Sequence, residues 1–421
     1  MESTEIPRLD PSGKEMIDFI KHICDEVGPR IGGSEQEKRA GDIIHERLDF
    51  CDETSQEEFT CRPGGFLDFI WITTAFYILG IFSYYFISPL VSLILIFIAL
   101  AIYSAQQNFL YELVDFLFPE VISYHIIGKI KPTKKPTKLI LLAAHHDSAY
   151  EFPLLSKLGE KSIFVIVIAV GITLINMLLC ILRIGITITK GSLSISEPFE
   201  FINEIQNFSI SAIVDLLQTV LFIFGVIVIL ILAFNLRSNK VVLGANDNLS
   251  GVAAVIQVGK FLAKHKPRNT EVWLISFAGE EHMRGSKRFV SSHQKELKER
   301  QALLFNLESL NSEAFLIATA EIMFLSTHSP LVVDFATKAA EKVANNIEIS
   351  FKVDKLPFAG SDAANFSKKG LHATTLFGLL ETGIPLDWHT LNDTPDKLVG
   401  SRLAKAAEIV LQFVYEVDQS G

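Results

Sequence analysis

Five short segments of the sequence contain side chains able to bind a metal ion, and each comes after an apolar stretch or a turn. These segments are His145-His146-Asp147, Asn246-Asp247-Asn248, Glu280-Glu281, Glu308 and His389. Zinc prefers imidazole and carboxylate ligands, which are best held at the strand ends and loops of a rigid sheet. Two zinc ions about 3.5–4 Å apart need one shared carboxylate and at least two further ligands each. The segments supply two histidines, a bridging aspartate, two carboxylate ligands and one further carboxylate as a base.

Each segment taken alone has a simpler explanation. A histidine–aspartate sequence is usually an ordinary loop, a pair of glutamates is usually a solvated surface, and a lone His389 would usually lie at the surface or cap a helix. Their joint occurrence, each after an apolar strand or a turn, favours a metal site instead. The sequence therefore predicts a two-zinc centre.

The elements that would position these residues are those of a soluble α/β domain. Short apolar runs predict buried strands at residues 139–144, 272–277 and 302–307. Apolar residues spaced three and four apart predict amphipathic helices, which fall within residues 10–50, 251–263, 285–300, 330–343 and 401–417. We expect an α/β fold with a mixed, mostly parallel central sheet flanked by helices, and metals at the carboxyl edge of the strands.

Four long apolar runs interrupt this pattern, at residues 66–87, 90–105, 163–182 and 212–234. Each is close to the roughly 20 residues that a helix needs to cross about 30 Å of hydrocarbon. Ser88-Pro89 separates the first two runs by a tight turn, which predicts a helical hairpin. The alternative is four buried helices of a soluble core, but these runs are apolar on every face rather than on one. We expect four transmembrane helices in a multi-pass integral membrane protein.

The two pairs of apolar runs divide the soluble domain into three parts. We assign residues 1–65, 106–160 and 237–421 to the soluble domain, residues 66–105 to the first hairpin, and residues 161–236 to a second hairpin with a polar loop. Each insertion contains an even number of crossings, so every soluble part returns to the same side of the membrane. Only then can one site be assembled from all three parts.

The motifs around the predicted ligands resemble those of peptidase family M28, whose di-zinc metallopeptidases include aminopeptidases and glutamate carboxypeptidases. The resemblance is carried by residues 141–148, 244–254, 277–281, 306–308, 360–362 and 388–394, and by Gly28-Pro29-Arg30 with Gly33-Ser34. The resemblance extends over nearly all of the chain outside the apolar runs. The resemblance implies a zinc-exopeptidase fold with two Zn²⁺ ions.

The zinc ligands follow position by position from this resemblance. It implies that His145 and Glu308 ligate one zinc, that Glu281 and His389 ligate the other, and that Asp247 bridges both. Glu308 stands where many members of the family have aspartate, a variation associated with some substrate subclasses.

The resemblance also assigns the two catalytic side chains that are not ligands. Glu280 would be the general base, and Asp147 would orient His145 by accepting its second ring N–H. Two zinc ions lower the pKa of a bridging water toward neutrality and so supply hydroxide at physiological pH. We therefore expect hydrolysis of peptide bonds, by an aminopeptidase, on peptide or amide substrates.

Other departures and extra polar residues concern the substrate pocket. Residues 282–284 replace a Gly-Leu pair common in the family, and Ala363 stands where relatives often carry histidine. His146 and His282 are alternatives as extra ligands, or else pocket or surface residues. Asp362 is expected either in the inner pocket or as the N-cap of a helix.

Two other functions remain open at this stage. A glutaminyl-cyclase-like enzyme or an N-acyl amide hydrolase would use the same scaffold, and glutaminyl cyclases use a single zinc, so metal stoichiometry discriminates them. A catalytically dead membrane scaffold or receptor would be expected to lose ligands, whereas this chain retains all five together with the base.

Composition excludes one class of partner and constrains the compartment. The net charge of −10 argues against a nucleic-acid-binding protein. The four cysteines show no paired spacing, which favours a reducing compartment over a disulfide framework. The polar first residues predict no cleavable signal peptide. The oligomeric state is left open.

A few polar residues lie in the apolar runs, and basic residues lie beside them. Asp68, Arg183, Asp215 and Gln218 are near run ends, so we expect them to reach the interfaces and the helices to act as an anchor. The alternative is that the second hairpin, which begins soon after Asp147, walls a path for hydrophobic substrates. The flanks on the soluble side carry more basic residues than the loops on the far side. Those on the soluble side are Arg62, Lys157, Lys161, Arg237 and Lys240, and those on the far side are Arg183 and Lys190. This bias places the catalytic domain in the cytoplasm.

Overall fold

The computed structural model describes residues 9–189, 209–379 and 383–420, which fold as two compact units. The first unit comprises residues 1–63, 119–151 and 239–421, and the second comprises residues 64–118 and 152–238. Residues 106–118 and 152–160, which the sequence division assigned to the soluble domain, belong to the second unit. The expected polar loop at residues 190–208, including Lys190, lies outside the described residues.

A nine-stranded sheet forms the centre of the described part of the first unit. Its strands are β1 (Glu53–Cys61), β2 (Val121–Ile130), β3 (Lys138–His145), β4 (Thr270–Phe277), β5 (Leu303–Glu308), β6 (Ala314–Glu321), β7 (Ser326–Thr327), β8 (Ser350–Leu356) and β9 (His372–Leu379). The order is β1-β2-β4-β3-β5-β9-β6-β7, and β8 pairs with β6. The four adjacent strands β4, β3, β5 and β9 are parallel, and β1, β2 and β6 run antiparallel to their neighbours on this path. The expected mixed α/β sheet is confirmed.

Helices cover both faces of this sheet. Numbered along the whole chain, they are α1 (Lys14–Glu26), α2 (Glu35–Arg47), α9 (Ser250–Lys264), α10 (Gly285–Glu299), α11 (Pro330–Ala344), α12 (Ala363–Lys368) and α13 (Gly400–Gln419). Alternate residues of β3 enter different cores. Ile140 and Leu142 pack into the larger cluster with α1, α9, α11 and α13, whereas Leu141 packs with α10 and α12. Because both faces are buried, β3 is an unbroken apolar run rather than an alternating one.

The second unit is built from apolar helices. They are α3 (Gly64–Leu67), α4 (Phe69–Phe86), α5 (Pro89–Tyr103), α6 (Pro153–Leu158), α7 (Ser162–Thr189) and α8 (Ile210–Asn235). The turn between α4 and α5 forms as expected, since Ser88 Oγ accepts the Val91 N–H at 3.3 Å and Pro89 occupies the first position of α5.

Four helical segments of this unit are long and apolar enough to cross a membrane: residues 64–86, 89–108, 153–189 and 210–235. Their large apolar side chains point outward as well as inward. Phe97 is 56% exposed, Leu178 63% and Ile223 60%. Contiguous apolar surface of this kind is rare on soluble monomers and marks a surface that meets a membrane or another protein.

Two charged residues within the apolar helices are buried and paired with each other, contrary to expectation. Arg183 on α7 and Asp215 on α8 are both buried, and Arg183 Nε lies 3.0 Å from Asp215 Oδ1. The Tyr84 hydroxyl donates to the same carboxylate. A buried charge is tolerated when it is paired and hydrogen-bonded, so the expectation that these two side chains extend to water was wrong.

A second polar group lies within the same bundle. The amide of Gln218 donates to Asn176 Oδ1 at 3.0 Å, and the amide of Asn176 donates to the Tyr77 hydroxyl at 2.7 Å. Gln218 is fully buried. Asp68, by contrast, lies at the start of α4, is partly exposed, and binds Arg237 through both carboxylate oxygens at 2.7 and 2.9 Å. These contacts tie together helices that are far apart in sequence.

We predict that Asp215→Asn destabilises the helical bundle, because it removes the negative charge that faces the buried Arg183 guanidinium. Removing one partner of a buried ion pair typically costs about 3–5 kcal/mol. Thermal unfolding in detergent should therefore show a lower Tm for the single variant, with recovery in the double variant Arg183→Met/Asp215→Leu. An unchanged Tm in Asp215→Asn would show that the pair does not stabilise the bundle.

Candidate metal centre

The ligand candidates meet because of the parallel part of the sheet. His145 is the last residue of β3 and pairs in register with Phe277, the last residue of β4. Glu308 is the last residue of β5, the other parallel neighbour of β3. Glu280 follows β4 by three residues. Since the carboxyl ends of adjacent parallel strands lie at one edge, these side chains project into the same space.

Asp247 and His389 reach this edge from loops. Asp247 lies in the distorted turn before α9, and Asp393 holds this turn by accepting the backbone N–H groups of Asn246 at 2.6 Å and Asp247 at 3.0 Å. His389 precedes Asp393 by four residues and has a positive φ of 52°. The residue pattern of 388–394 indicated His389, but the sequence assigned no role to Asp393.

The Asp247 carboxylate lies between two histidines. Its Oδ1 is 3.5 Å from His145 Nε2, and its Oδ2 is 3.2 Å from His389 Nε2. Each imidazole nitrogen has a second acidic neighbour, because His145 Nε2 is 3.4 Å from Glu308 Oε2 and His389 Nε2 is 3.2 Å from Glu281 Oε2. The structure thus brings all five predicted ligands together as two imidazole–carboxylate pairs on either side of one shared carboxylate.

The donor atoms fit a zinc ion. Ligand atoms of His145, Asp247 and Glu281 all lie within 4.8 Å of one another. Within the described part of the chain, Asp247 Oδ2 and Glu281 Oε1 are buried and receive no hydrogen bond. A buried carboxylate oxygen without a donor is costly, and imidazole with carboxylate is a ligand set that zinc binds. A cation between these atoms would satisfy both oxygens.

The predicted base, Glu280, lies beside one of the two pairs, with its Oε2 3.5 Å from His145 Nε2. Burial raises the pKa of Glu280 well above its usual value, and the nearby Glu308 and Asp362 raise it further. Burial likewise raises the pKa of Glu308, to about 7. The protein alone therefore does not stabilise the negative charge of all these buried carboxylates. Such a site favours the binding of cations.

The pKa values of the two histidines are shifted by the same excess of negative charge. Burial by itself would lower the pKa of His389, but Glu281 and Asp247 raise it to about 9. The pKa of His145 is also raised well above its usual value, because Glu308 and Glu280 outweigh the effect of burial. Both rings face carboxylates that attract positive charge, whether it comes from a proton or from a metal ion.

Asp147 contacts three residues of the site, and the sequence predicted only the contact with His145. The Nδ1 atom of His145 lies 3.2 Å from the main-chain oxygen of Asp147 and 3.4 Å from its Oδ1. The two carboxylate oxygens also accept the backbone N–H groups of Glu280 and Glu281, each at 3.2 Å. Asp147 therefore connects the end of β3 to the two glutamates that follow β4, which no local sequence pattern reveals.

Two asparagines position Glu308, and the sequence analysis missed both roles. Asn248 Nδ2 donates to Glu308 Oε2 at 2.6 Å, and Asn306 Nδ2 donates to Oε1 at 2.8 Å. Asn306 is two residues from Glu308 on β5, so both side chains leave the strand on the same face. The appearance of both asparagines in the M28-like motifs was the available signal.

The remaining polar candidates, His146, His282 and Asp362, have different surroundings. His146 is buried, with Nδ1 2.9 Å from Ser276 Oγ, and His282 Nε2 lies 4.0 Å from Cys61 Sγ. These contacts direct both rings toward other partners. Asp362 is fully buried and makes no side-chain cap of α12. Burial raises its pKa well above the usual value, and the negative charge of Glu308 contributes to this rise.

Arg30, from the Gly28-Pro29-Arg30 motif, holds two of the loops together. Its guanidinium is fully buried and donates to the main-chain oxygens of Gly28, His146, Leu243 and Gly244 at 2.7–3.2 Å. Its backbone exchanges two hydrogen bonds of 2.9 Å with Ser148. One side chain thus fixes the segment after His145 and the segment before Asp247.

We predict that Arg30→Met lowers the stability of the first unit and its affinity for zinc. Each buried carbonyl left without a donor costs about 1–3 kcal/mol. The Tm and the zinc affinity should both fall, whereas Arg39→Met, at a residue whose side chain is 59% exposed, should change neither. Equal values for both variants would contradict a positioning role for Arg30.

Comparisons with known proteins identify a matching family and a common fold. Residues 231–414 match the model of peptidase family M28. A glutaminyl cyclase from Bacteroides thetaiotaomicron, bound to N-acetylhistamine, is 15% identical with a TM-score of 0.56, and the match covers 98% of this chain and 99% of that one. BSAP, a zinc aminopeptidase from Bacillus subtilis, is 16% identical with a TM-score of 0.54, covering 98% and 96% of the two chains. No curated protein matches in sequence.

A third solved structure, a Zn-dependent exopeptidase from Parabacteroides distasonis, is 12% identical with a TM-score of 0.53, and the match covers 98% of this chain and 99% of that one. At such low identity these likenesses establish the fold only. The family match includes four of the five ligand candidates, and His145 lies outside it. The chain therefore has a zinc-exopeptidase-like fold, and its resemblance to peptidase family M28 is confirmed.

Proposed function

We propose that this protein is a membrane-embedded, zinc-dependent exopeptidase with two zinc ions, acting as an aminopeptidase. The observation that carries the proposal is the Asp247 carboxylate, whose two oxygens face different histidines at 3.5 and 3.2 Å. A carboxylate that presents one oxygen to each of two ligand groups is the arrangement that a two-metal site requires.

The ligands divide into two sets around Asp247. His145 and Glu308 would hold one zinc, and Glu281 and His389 would hold the other. When bound, zinc supplies an activated water at neutral pH and polarises the scissile carbonyl. The chain supplies the rest: buried ligands that exclude competing water, and backbone contacts from Asp147 and Asp393 that keep the ligands in place.

Glu280 would move the proton. It accepts a proton from the attacking water and returns it to the amine that leaves when the peptide bond breaks, a role that typically contributes about 10²–10⁴ in rate. Its backbone N–H is bound to Asp147, and the next residue, Glu281, is a ligand candidate. Glu280 is therefore held beside the site by its backbone hydrogen bond to Asp147 and by its position next to the ligand candidate Glu281.

A glutaminyl cyclase is the second candidate, because one of the similar structures is such an enzyme. A single zinc would need only one of the two ligand sets. The second imidazole–carboxylate pair, His145 and Glu308, supports the peptidase, since a one-zinc enzyme leaves this pair without a metal to bind. Retention of all five candidates likewise argues against a catalytically dead scaffold.

The second unit would anchor the protein in the bilayer through four spanning helices. Their length, apolar composition and outward-facing side chains support this assignment. The excess of basic residues on the flanks of the soluble parts supports a cytoplasmic catalytic domain. Hydrophobic peptides that approach along the membrane surface are the substrates that we propose for this arrangement.

We predict that Glu280→Gln keeps its bound zinc but loses about 10²–10⁴ in kcat. The measurement is turnover of a panel of free-amine and N-blocked peptides by full-length protein, with zinc content determined in parallel. Glu299→Gln, whose side chain is 67% exposed on α10, is the matched control and should retain activity.

The outcomes of this panel separate the candidate functions. If the protein cleaves free-amine peptides but not N-blocked peptides, the result supports an aminopeptidase. If it cleaves only N-blocked peptides, the result contradicts an aminopeptidase. Loss of ammonia with ring closure of an N-terminal glutamine would identify a cyclase. Full activity in Glu280→Gln would refute the assigned base.

We also predict that removal of metal destabilises the first unit, because the buried carboxylates then repel one another. A ligand at 100 times its Kd stabilises a folded protein by about 2.7 kcal/mol. Chelation should lower the Tm and added zinc should restore it. Asp247→Asn should shrink this shift, whereas Asp334→Asn, at an exposed residue of α11, should not. A Tm unaffected by chelation would contradict a structural contribution from zinc.

A further inference from the structure

A short segment of the second unit, residues 109–118, exposes a dense set of large apolar side chains. It follows the helical turn Ser104–Asn108 that extends α5, and it lacks any lysine or arginine. Five of its ten side chains are between 44% and 70% exposed: Phe109, Tyr111, Leu113, Phe116 and Leu117. This density is unusual for a connecting loop in water, where loops are mostly polar.

The segment is nonetheless folded onto the apolar helices. Val114 is buried against Phe69 and Ile102, and Phe118 packs on the same cluster. Gln106, fully buried at the end of the second apolar helix, donates to Gly65 O and to Asp115 Oδ1, and its Oε1 accepts the Leu113 N–H at 2.8 Å. The outward direction of the apolar side chains is therefore fixed by specific contacts.

Several backbone N–H groups of the segment are also hydrogen-bonded. The N–H groups of Phe109, Tyr111, Leu117 and Phe118 donate to the main-chain oxygens of Ser104, Ala105, Val114 and Asp115 at 2.7–3.1 Å. Within hydrocarbon each unpaired backbone group costs several kcal/mol, so irregular backbone enters a membrane only when its polar groups are paired. These bonds and the one from Leu113 to Gln106 meet that condition for five of the ten residues, although the segment is not a regular helix.

Length and composition set the depth at which it would lie. Ten residues are too few to cross the bilayer, which takes about 20 in a helix. Aromatic side chains with polar tips, such as Tyr111, prefer the boundary between headgroups and acyl chains. The absence of basic residues means that no attraction to anionic lipid contributes.

We propose that residues 109–118 form an interfacial anchor that inserts Tyr111, Phe116 and Leu117 into the headgroup–acyl boundary of the bilayer. This inference rests on the membrane embedding proposed above. The segment extends the apolar surface of the spanning helices. The partner is the lipid itself. Insertion depends on apolar burial and therefore proceeds in zwitterionic phosphatidylcholine at any ionic strength.

The test places an environment-sensitive fluorophore on Phe116→Cys in full-length protein reconstituted in phosphatidylcholine nanodiscs. The background carries Cys51→Ser, because the other three native cysteines are buried. Quenching by lipids with a nitroxide at acyl carbon 5 is compared with quenching at carbon 12. Leu117→Cys is a second label site, in case Phe116→Cys disturbs folding.

Two control labels make the outcomes distinguishable. Phe97→Cys lies on the outer face of α5 near its middle, and Lys295→Cys replaces a side chain that is 89% exposed on the first unit. We expect the label at residue 116 to be quenched at least twofold more by the shallow nitroxide, the label at residue 97 more by the deep one, and the label at residue 295 by neither.

Failure would take one of two forms. If the label at residue 97 is quenched but the labels at residues 116 and 117 behave like that at residue 295, the helices span and the interfacial anchor is refuted. If the label at residue 97 is not quenched either, the proposed membrane embedding fails and the anchor fails with it. Quenching at residue 116 that requires anionic lipid would also contradict the apolar mechanism.

Discussion

The structure depends on one electrostatic constraint, the burial of several carboxylates around a single aspartate. Asp247, Glu280, Glu281 and Glu308 have side chains no more than 10% exposed. Like charges at such distances in a medium of low dielectric constant repel strongly, and each also loses its hydration. The protein can keep them ionised together only if positive charge lies among them. The other residues of the site hold these carboxylates close together despite their repulsion.

The scaffold holds these carboxylates in place with backbone donors and one buried cation, none of which neutralises them directly. Asp147 and Asp393 accept pairs of backbone N–H groups and so fix the turns that present the glutamates and Asp247. Arg30 fastens two of the same loops through main-chain oxygens. Hydrogen bonds within the protein thus position the ligands, which reduces the entropy lost when a ligand binds. The adjacent parallel strands end at the same edge of the sheet, which brings the ligands that follow them close together.

The part of this arrangement that could be predicted from sequence is the part that local patterns encode. The apolar runs that become β3, β4 and β5 were recognisable because both of their faces are buried, and the ligands follow their ends directly. The strands β1, β2 and β6 to β9 were missed. β1 is largely polar and lies at the edge of the sheet, so its strand character comes from pairing with β2 rather than from burial.

Contacts between residues distant in sequence account for the other differences. The Arg183–Asp215 pair joins two helices, and neither residue by itself indicates whether it will face a partner or water. Residues 106–118 were assigned to the soluble domain because the apolar run had ended, yet Gln106 and Val114 bind them back to the helices. The roles of Asp393, Asn248 and Arg30 likewise exist only once the chain has folded.

The most direct measurement is anomalous diffraction at the zinc absorption edge from crystals of the full-length protein grown with zinc. The account predicts two anomalous peaks, one on the side of Asp247 that faces His145 and one on the side that faces His389. A single peak, or zinc bound elsewhere with Asp247 left unligated, would contradict the claim that this carboxylate is shared between two metal ions.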